Sequence, residues 1–227
     1  MGVASRAGRA VGVLIIAQMA GAFLVNFTLT KPLFGAPGFL VAAAPHATQL
    51  AVSVLLGLAI GALPLAMAIT AFPVFRRSAD ALAIWFVALS VVSFSAAVVE
   101  QSNVMSMLSL SQAYTEATDQ GPFSALRIVV ASSRNWSHFI GLLVHGSTSF
   151  VLYLVLFRSR LVPRWLAAFG LAAVLLQLVA VAMPLFGREV VFPLLAPVGL
   201  SQLALALWLI ARGFPEAASP AAAKRPA

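Results

Sequence analysis

Long apolar stretches separated by short polar breaks make up most of this chain. Six such stretches cover residues 10–29, 50–72, 81–99, 136–157, 165–186 and 190–210. Each has about the 20 residues that an α-helix needs to cross a hydrocarbon core of about 30 Å. Because a lone spanning segment must satisfy its own backbone hydrogen bonds, the pattern predicts an all-α bundle of six transmembrane helices.

The composition supports a membrane environment. Hydrophobic residues make up 62% of the chain and charged residues 9%, whereas soluble domains carry about 25% charged residues. A surface this apolar is covered by lipid, so the lipid bilayer is the first expected partner. The chain has no cysteine, which excludes disulfides, thiolate chemistry and cysteine-ligated metals.

The basic residues predict the orientation. With six spans, ten of the fourteen Lys and Arg residues fall on one side of the membrane. They are Arg6, Arg9, Arg76, Arg77, Arg158, Arg160, Arg164, Arg212, Lys224 and Arg225. An excess of Lys and Arg marks the cytoplasmic side, so both termini are predicted to be cytoplasmic. The net charge of +8 is explained by span ends and anionic headgroups, and no basic face supports nucleic-acid binding.

The polar connections predict the remaining organisation. The stretch 10–29 is too long for a signal-peptide core and is predicted to be a retained span. Residues 103–118 and 122–133 are compatible with helices, so spans three and four are expected to continue outside the membrane and meet at a turn near 119–121. Residues 1–213 then form a single integral membrane domain. The Ala- and Pro-rich segment 214–227 is expected to be a disordered cytoplasmic tail.

Four short motifs carry a resemblance to a known family. They are Phe72-Pro73-Val74-Phe75, Leu108-Ser109-Leu110-Ser111-Gln112-Ala113-Tyr114, Ser133-Arg134-Asn135-Trp136 and Leu156-Phe157-Arg158-Ser159-Arg160-Leu161-Val162-Pro163-Arg164-Trp165-Leu166. With these motifs the chain resembles the bacterial family known as domain of unknown function 4386. The resemblance implies a multi-pass inner-membrane protein and carries over no catalytic residue. An acidic residue frequent in the third span of that family has no counterpart here, where Val91, Val92 and Ser93 stand.

One polar layer is expected at the outer boundary of the membrane. Counting the helix rise from the cytoplasmic ends places Glu100, His138 and Asn26 at about 25–28 Å, with Arg134 just above. A carboxylate at this height is able to pair with Arg134 and with a protonated histidine. The layer is interpreted either as an ion pair that pins two helices or as part of a binding site.

A second polar layer is expected near the midplane. The same count places His145, Gln18, Gln177 and Gln202 at heights of about 13–20 Å on four different spans. An ionisable residue at this depth is costly unless it faces the bundle interior, so His145 is expected to point inward. Two interpretations stay open: a polar, proton-accessible pocket, or a neutral histidine and three amides that cross-bond the helices.

Common enzyme signatures are not found. His138 and His145 are about 10 Å apart along a helix, too far to share one zinc ion. The sequence has no nucleophile elbow, phosphate loop or dinucleotide fingerprint. No catalytic residue, metal or cofactor is therefore predicted.

Three hypotheses for function remain. The first is a non-enzymatic bundle of the bacterial cytoplasmic membrane that binds a partner, a lipid or a small apolar ligand. The alternative is a small transporter or proton-linked carrier with a midplane site around His145. An intramembrane enzyme ranks third. The sequence identifies no protein partner.

Overall fold

The structure is a computed structural model that describes residues 2–216, and that part of the chain is all-helical, with no strand. The α-helices are α1 (Val3–Leu24), α2 (Lys31–Phe34), α3 (Phe39–Ala42), α4 (Ala47–Glu116), α5 (Phe123–Ser159), α6 (Arg164–Ala182) and α7 (Ala196–Arg212). A π-helical segment, Val25–Leu29, follows α1, and 3-10 turns cover Ala44–His46, Met183–Phe186 and Phe192–Leu195. Five helical segments in the described chain are long and apolar enough to cross a membrane. The predicted all-α class of membrane protein is therefore confirmed.

The longest helix, α4, is a hairpin of two arms. Its backbone is non-helical at Ala79, where φ is −156° and ψ is 63°. Residues 47–78 form a first arm and residues 80–116 a second arm that runs back along it. Contacts between the arms show this: a Cβ built on Gly57 meets Gln101, one built on Gly61 meets Ala97, and the rings of Phe75 and Phe86 are 5.9 Å apart.

The prolines disturb the helices less than proline in a helix interior usually does. Such a proline normally kinks a helix, yet α4 departs from helical dihedrals at Ala79 and not at Pro64. Pro193 and Pro184 lie in 3-10 turns outside the α-helices. Pro197 lies in the first turn of α7, where no intrahelical partner is available for the missing N–H in any case. The last span is consequently an α-helix of only 17 residues preceded by a tight turn.

Two apolar clusters hold the bundle. The larger joins α1, both arms of α4, α5, α6 and α7, and includes the fully buried Phe75, Tyr153 and Leu205. The smaller joins the α2–α3 region to the distal parts of the arms through buried residues such as Phe39 and Met107. On α4 the two clusters are separated by a stretch that belongs to neither, and polar side chains lie in that stretch.

Close helix contact in the larger cluster depends on glycine. A Cβ on Gly170 would overlap the Tyr153 ring, and one on Gly8 would overlap the backbone nitrogen of Phe214. Small residues of this kind let membrane helices approach closely. Phe214 was assigned to the tail from sequence but is 1% exposed and packs against Phe75, because the glycines of α1 leave room for it. Residues 217–227 of the expected tail lie outside the described part.

Candidate functional site

A cavity of about 190 Å³ lies between α1, the two arms of α4 and α5. Its lining combines apolar, amide and charged side chains. The lining residues are Gln18, Ala22, Val25, Asn26, Thr30, Gly57, Ile60, Gly61, Pro64, Ser93, Ala97, Glu100, Gln101, Val104, Arg134, His138, Gly141, Leu142 and His145. An engineered apolar cavity of about 150 Å³ binds benzene, so this space suits a molecule of similar or slightly larger size.

The helices that form the cavity depart from regular α-helix beside it. The π-helical segment after α1 begins at Val25, and its last bond runs from the Thr30 N–H to the Val25 carbonyl at 3.0 Å. Single π-helical turns occur often at functional sites because they redirect side chains. On the first arm of α4, Pro64 has no N–H, so the carbonyl of Ile60 lacks its usual helical partner. Both irregularities lie in residues that line the cavity.

The outer end of the cavity holds a three-residue ionic cluster. Oε1 of Glu100 accepts a hydrogen bond from Nη2 of Arg134 at 2.9 Å and lies 2.9 Å from Nδ1 of His138. The exposed fractions of these side chains are 17% for Glu100, 8% for Arg134 and 26% for His138. Two helices, the second arm of α4 and α5, are thus linked through one carboxylate oxygen.

The connection between α1 and α4 covers this cluster. The Arg134 guanidinium carbon lies 4.6 Å from the ring centroid of Phe34 in α2, a cation–π distance. The connection is tied to α4 at both ends: Gln49 donates to the carbonyl of Leu29 at 2.9 Å, and Ser111 donates to the carbonyl of Leu40 at 2.8 Å. The α2–α3 region therefore forms a cover over the ionic cluster.

The inner end of the cavity is formed by a histidine–amide pair. Nε2 of His145 on α5 lies 3.5 Å from Nε2 of Gln18 on α1. A second cavity of about 20 Å³ begins below this pair and is lined by Gln18, Pro64 and His145 together with Gln202. The pair is therefore the partition between a large and a small cavity, and His145 faces the bundle interior.

The residues singled out from sequence are only partly brought together. Glu100, Arg134, His138, His145 and Gln18 line one cavity that joins the two predicted layers. Asn26 lines it as well, but its amide donates to the carbonyl of Ala22 on its own helix at 2.9 Å. Gln202 lines only the smaller cavity.

Gln177 does not share the pocket predicted from its height. It is 8% exposed, lies on α6 and lines neither cavity, and its Oε1 has no partner in the described chain. Conversely, the sequence reasoning missed Gln101, a buried lining residue whose amide packs on Gly57. Its place directly after Glu100, opposite a glycine on the neighbouring helix, is the signal that was available.

The chemistry of the lining favours binding over metal chemistry. Glu100 and His138 are two potential metal ligands, and no third His, Asp or Glu joins them within residues 2–216. What the cavity offers is apolar wall with hydrogen-bonding groups at either end.

A family comparison completes the description of the site. No curated protein and no solved structure matches the chain. The model of the family described as "Domain of unknown function (DUF4386)" matches residues 10–213, a range that contains α4, α5 and all the cavity residues. The chain therefore belongs to the DUF4386 family.

Proposed function

We propose that the protein crosses the bacterial cytoplasmic membrane six times, with both termini in the cytoplasm. The hairpin at Ala79 supports this count, because each arm of α4 is long enough to cross once. Ser78 and Ser159 are hydrogen-bonded at 2.7 Å, so the turn of the hairpin and the turn after α5 lie at the same end of the bundle. Both turns carry arginines, as cytoplasmic turns do. The distal parts of the second arm and α5 then form an extracytoplasmic extension.

Within this topology, we propose that the protein is a binding protein for a small, largely apolar ligand. The observation that supports it is the cavity of about 190 Å³ between α1, the two arms of α4 and α5. Protein interiors are close-packed, and spaces larger than a water molecule are few. The two polar ends provide orientation, and the apolar wall between them provides affinity.

Filling the cavity tests the proposal. A Cβ on Gly141 meets nothing closer than 3.9 Å, so Gly141→Leu places a side chain in the cavity without a backbone clash. Gly199 on α7 is the matched control, because a Cβ there has open space and the residue is not in the lining. Wild type and Gly199→Leu are expected to be stabilised thermally in detergent by at least one of toluene, benzyl alcohol, benzylamine and benzoate. Gly141→Leu is expected to lose that stabilisation.

Equal responses of the wild type and Gly141→Leu to every compound would contradict a ligand-binding cavity. If a compound stabilises the wild type but not Gly141→Leu, the same pair of proteins can be used to look for the natural ligand. Native mass spectrometry of the purified protein should then show a bound molecule in the wild type and in Gly199→Leu that is missing from Gly141→Leu.

A proton-linked carrier is the second candidate. It is favoured by the position of His145, which separates the larger cavity from the smaller one that continues toward Gln202. In proteoliposomes with a pH gradient, His145→Ala should abolish uptake of a compound that the cavity binds, while His46→Ala, an exposed histidine outside the cavity, should leave uptake unchanged. Uptake that survives His145→Ala would exclude the carrier and leave the binding protein.

A further inference from the structure

We infer that the outer end of the cavity binds a hydrogen-bond-donating headgroup, a hydroxyl or an amine, on a short apolar body. This inference rests on the proposed binding function and adds the chemical class of the ligand. It follows from which polar atoms the ionic cluster uses internally and which it leaves for a guest.

Glu100 leaves one of its two oxygens free. Both hydrogen bonds of the cluster, from Arg134 and from His138, go to Oε1. No group within residues 2–216 bonds Oε2, which lies 3.9 Å from the Cβ position of Gly141, a lining residue. A carboxylate oxygen accepts hydrogen bonds and donates none when ionised. A ligand group next to the free oxygen should therefore be a hydrogen-bond donor.

His138 is committed to the cluster through Nδ1. Because its Nδ1 lies 2.9 Å from a carboxylate oxygen, Nδ1 must carry the proton. That proton is shared with Oε1 of Glu100, so His138 does not occupy Oε2. The acceptor that the cluster offers to a ligand is therefore Oε2 of Glu100.

Arg134 is poorly placed to attract an anionic ligand instead. Its side chain is 8% exposed, one terminal nitrogen is used by Glu100, and its guanidinium lies over the Phe34 ring. The positive charge is thus balanced by Glu100 and shielded by an aromatic ring. Nε of Arg134 has no partner in the described chain, but it is fully buried and therefore not open to a ligand in the cavity.

The rest of the cavity lining determines the size and polarity of the remainder of the ligand. The cavity is also lined by apolar side chains from all the surrounding helical segments, namely Val25, Ile60, Ala97, Val104 and Leu142. His138 and His145 are seven positions apart on α5, so the ends are separated by about 10 Å. A ring or short chain with one donor at its outer end fits this length and volume.

Matched isomers test the inference. Benzyl alcohol and anisole have the same formula, but only the alcohol donates a hydrogen bond. In detergent, dissociation constants measured by NMR are expected to be at least about tenfold lower for benzyl alcohol and benzylamine than for anisole and benzoate. Gly141→Leu serves as the blank for partition into the micelle.

Glu100→Gln tests whether Glu100 is the residue that distinguishes benzyl alcohol from anisole. The glutamine keeps an oxygen for Arg134 and replaces Oε2 with an NH₂ donor, so the preference for the alcohol over anisole should fall to less than about threefold. Glu116→Gln, an exposed residue at the end of α4, should keep the tenfold preference. If Glu100→Gln cannot be purified, the relative affinities of the wild type for the four compounds still test the inference.

The outcomes separate this inference from the proposed function. Equal affinities for anisole and benzyl alcohol, both above the Gly141→Leu blank, would overturn the donor headgroup and keep the binding function. Tightest binding of benzoate would overturn it in favour of an anion. An alcohol preference that persists in Glu100→Gln would overturn the role of Glu100. No binding above the blank by any compound would overturn the binding function itself.

Discussion

At the scale of single residues, the burial of Arg134 has the largest energetic consequence. Its side chain is 8% exposed and its charge is balanced by Glu100 at 2.9 Å. Removing one partner of a buried pair leaves the other charge uncompensated and typically costs about 3–5 kcal/mol. Arg134→Met should therefore lower the unfolding temperature in detergent by several degrees, and adding Glu100→Gln should recover part of the loss.

Arg127→Met is the matched control for this substitution. Arg127 lies two turns earlier on α5 and is exposed, and exposed charges contribute about 0–1 kcal/mol. Circular dichroism melts of the four proteins decide the matter. If the unfolding temperature falls as much in Arg127→Met as in Arg134→Met, positive charge on α5 stabilises the helix wherever it lies, and the buried pair has no special role.

The same residues show what helix rise predicts and what it cannot. Counting 1.5 Å per residue from a span end brings Glu100, Arg134 and His138 to about one height. They meet because the two helices that carry them are neighbours. The count does not give the rotation of a helix about its axis. Gln177 on α6 lines neither cavity, because its orientation is determined by packing against other helices and not by its height.

At the scale of elements, the end of α5 is held in an unusual conformation. Arg160 has φ 51° and ψ 34°, in the left-handed region, and the N–H of Leu161 bonds the carbonyl of Leu156 at 3.3 Å. Glycine is the usual residue here because it has no Cβ to strain. Arg160→Gly should therefore raise the stability in detergent by about 1 kcal/mol, measured as a higher unfolding temperature.

Arg158→Gly separates the backbone effect from the loss of charge. Arg158 is exposed like Arg160 but lies in the last helical turn, where glycine costs about 1 kcal/mol. The two substitutions remove the same charge from the same turn, so opposite shifts isolate the conformation at residue 160. Equal shifts of one sign would attribute both effects to the arginine charge.

Element boundaries were less predictable than element type. The hydrophobic stretches give the helices, yet they do not show where each begins: α1 begins at Val3, seven residues before the apolar stretch that starts at residue 10. The start of α5 at Phe123 agrees with the helix-compatible segment 122–133. The π-helical segment Val25–Leu29 is invisible in the hydrophobic pattern, because it depends on a local change of hydrogen-bond partner. The cavity lies beside that segment, so the site as a whole was not predictable from the pattern.

At the scale of the whole molecule, the charge distribution and the hairpin at Ala79 lead to the same arrangement. In the proposed topology, the arginines put residues 73–80 and 158–164 on the same side of the membrane. The hydrogen bond between Ser78 and Ser159 brings these two turns together independently of any charge rule. A single span through the entire α4 would need about 105 Å of helix, more than three times the hydrocarbon thickness.

The topology is testable with single cysteines, since the chain contains none. Ser78 and Thr118 are exposed residues in turns at opposite ends of the second arm. In right-side-out vesicles, a membrane-impermeant maleimide should label Thr118→Cys and not Ser78→Cys. Inside-out vesicles should give the reverse. Labelling of both residues from one side would show that the second arm does not cross the membrane. Protection of Ser78→Cys from both sides would mean that the hairpin turns inside the bilayer and that its arms do not each cross the membrane.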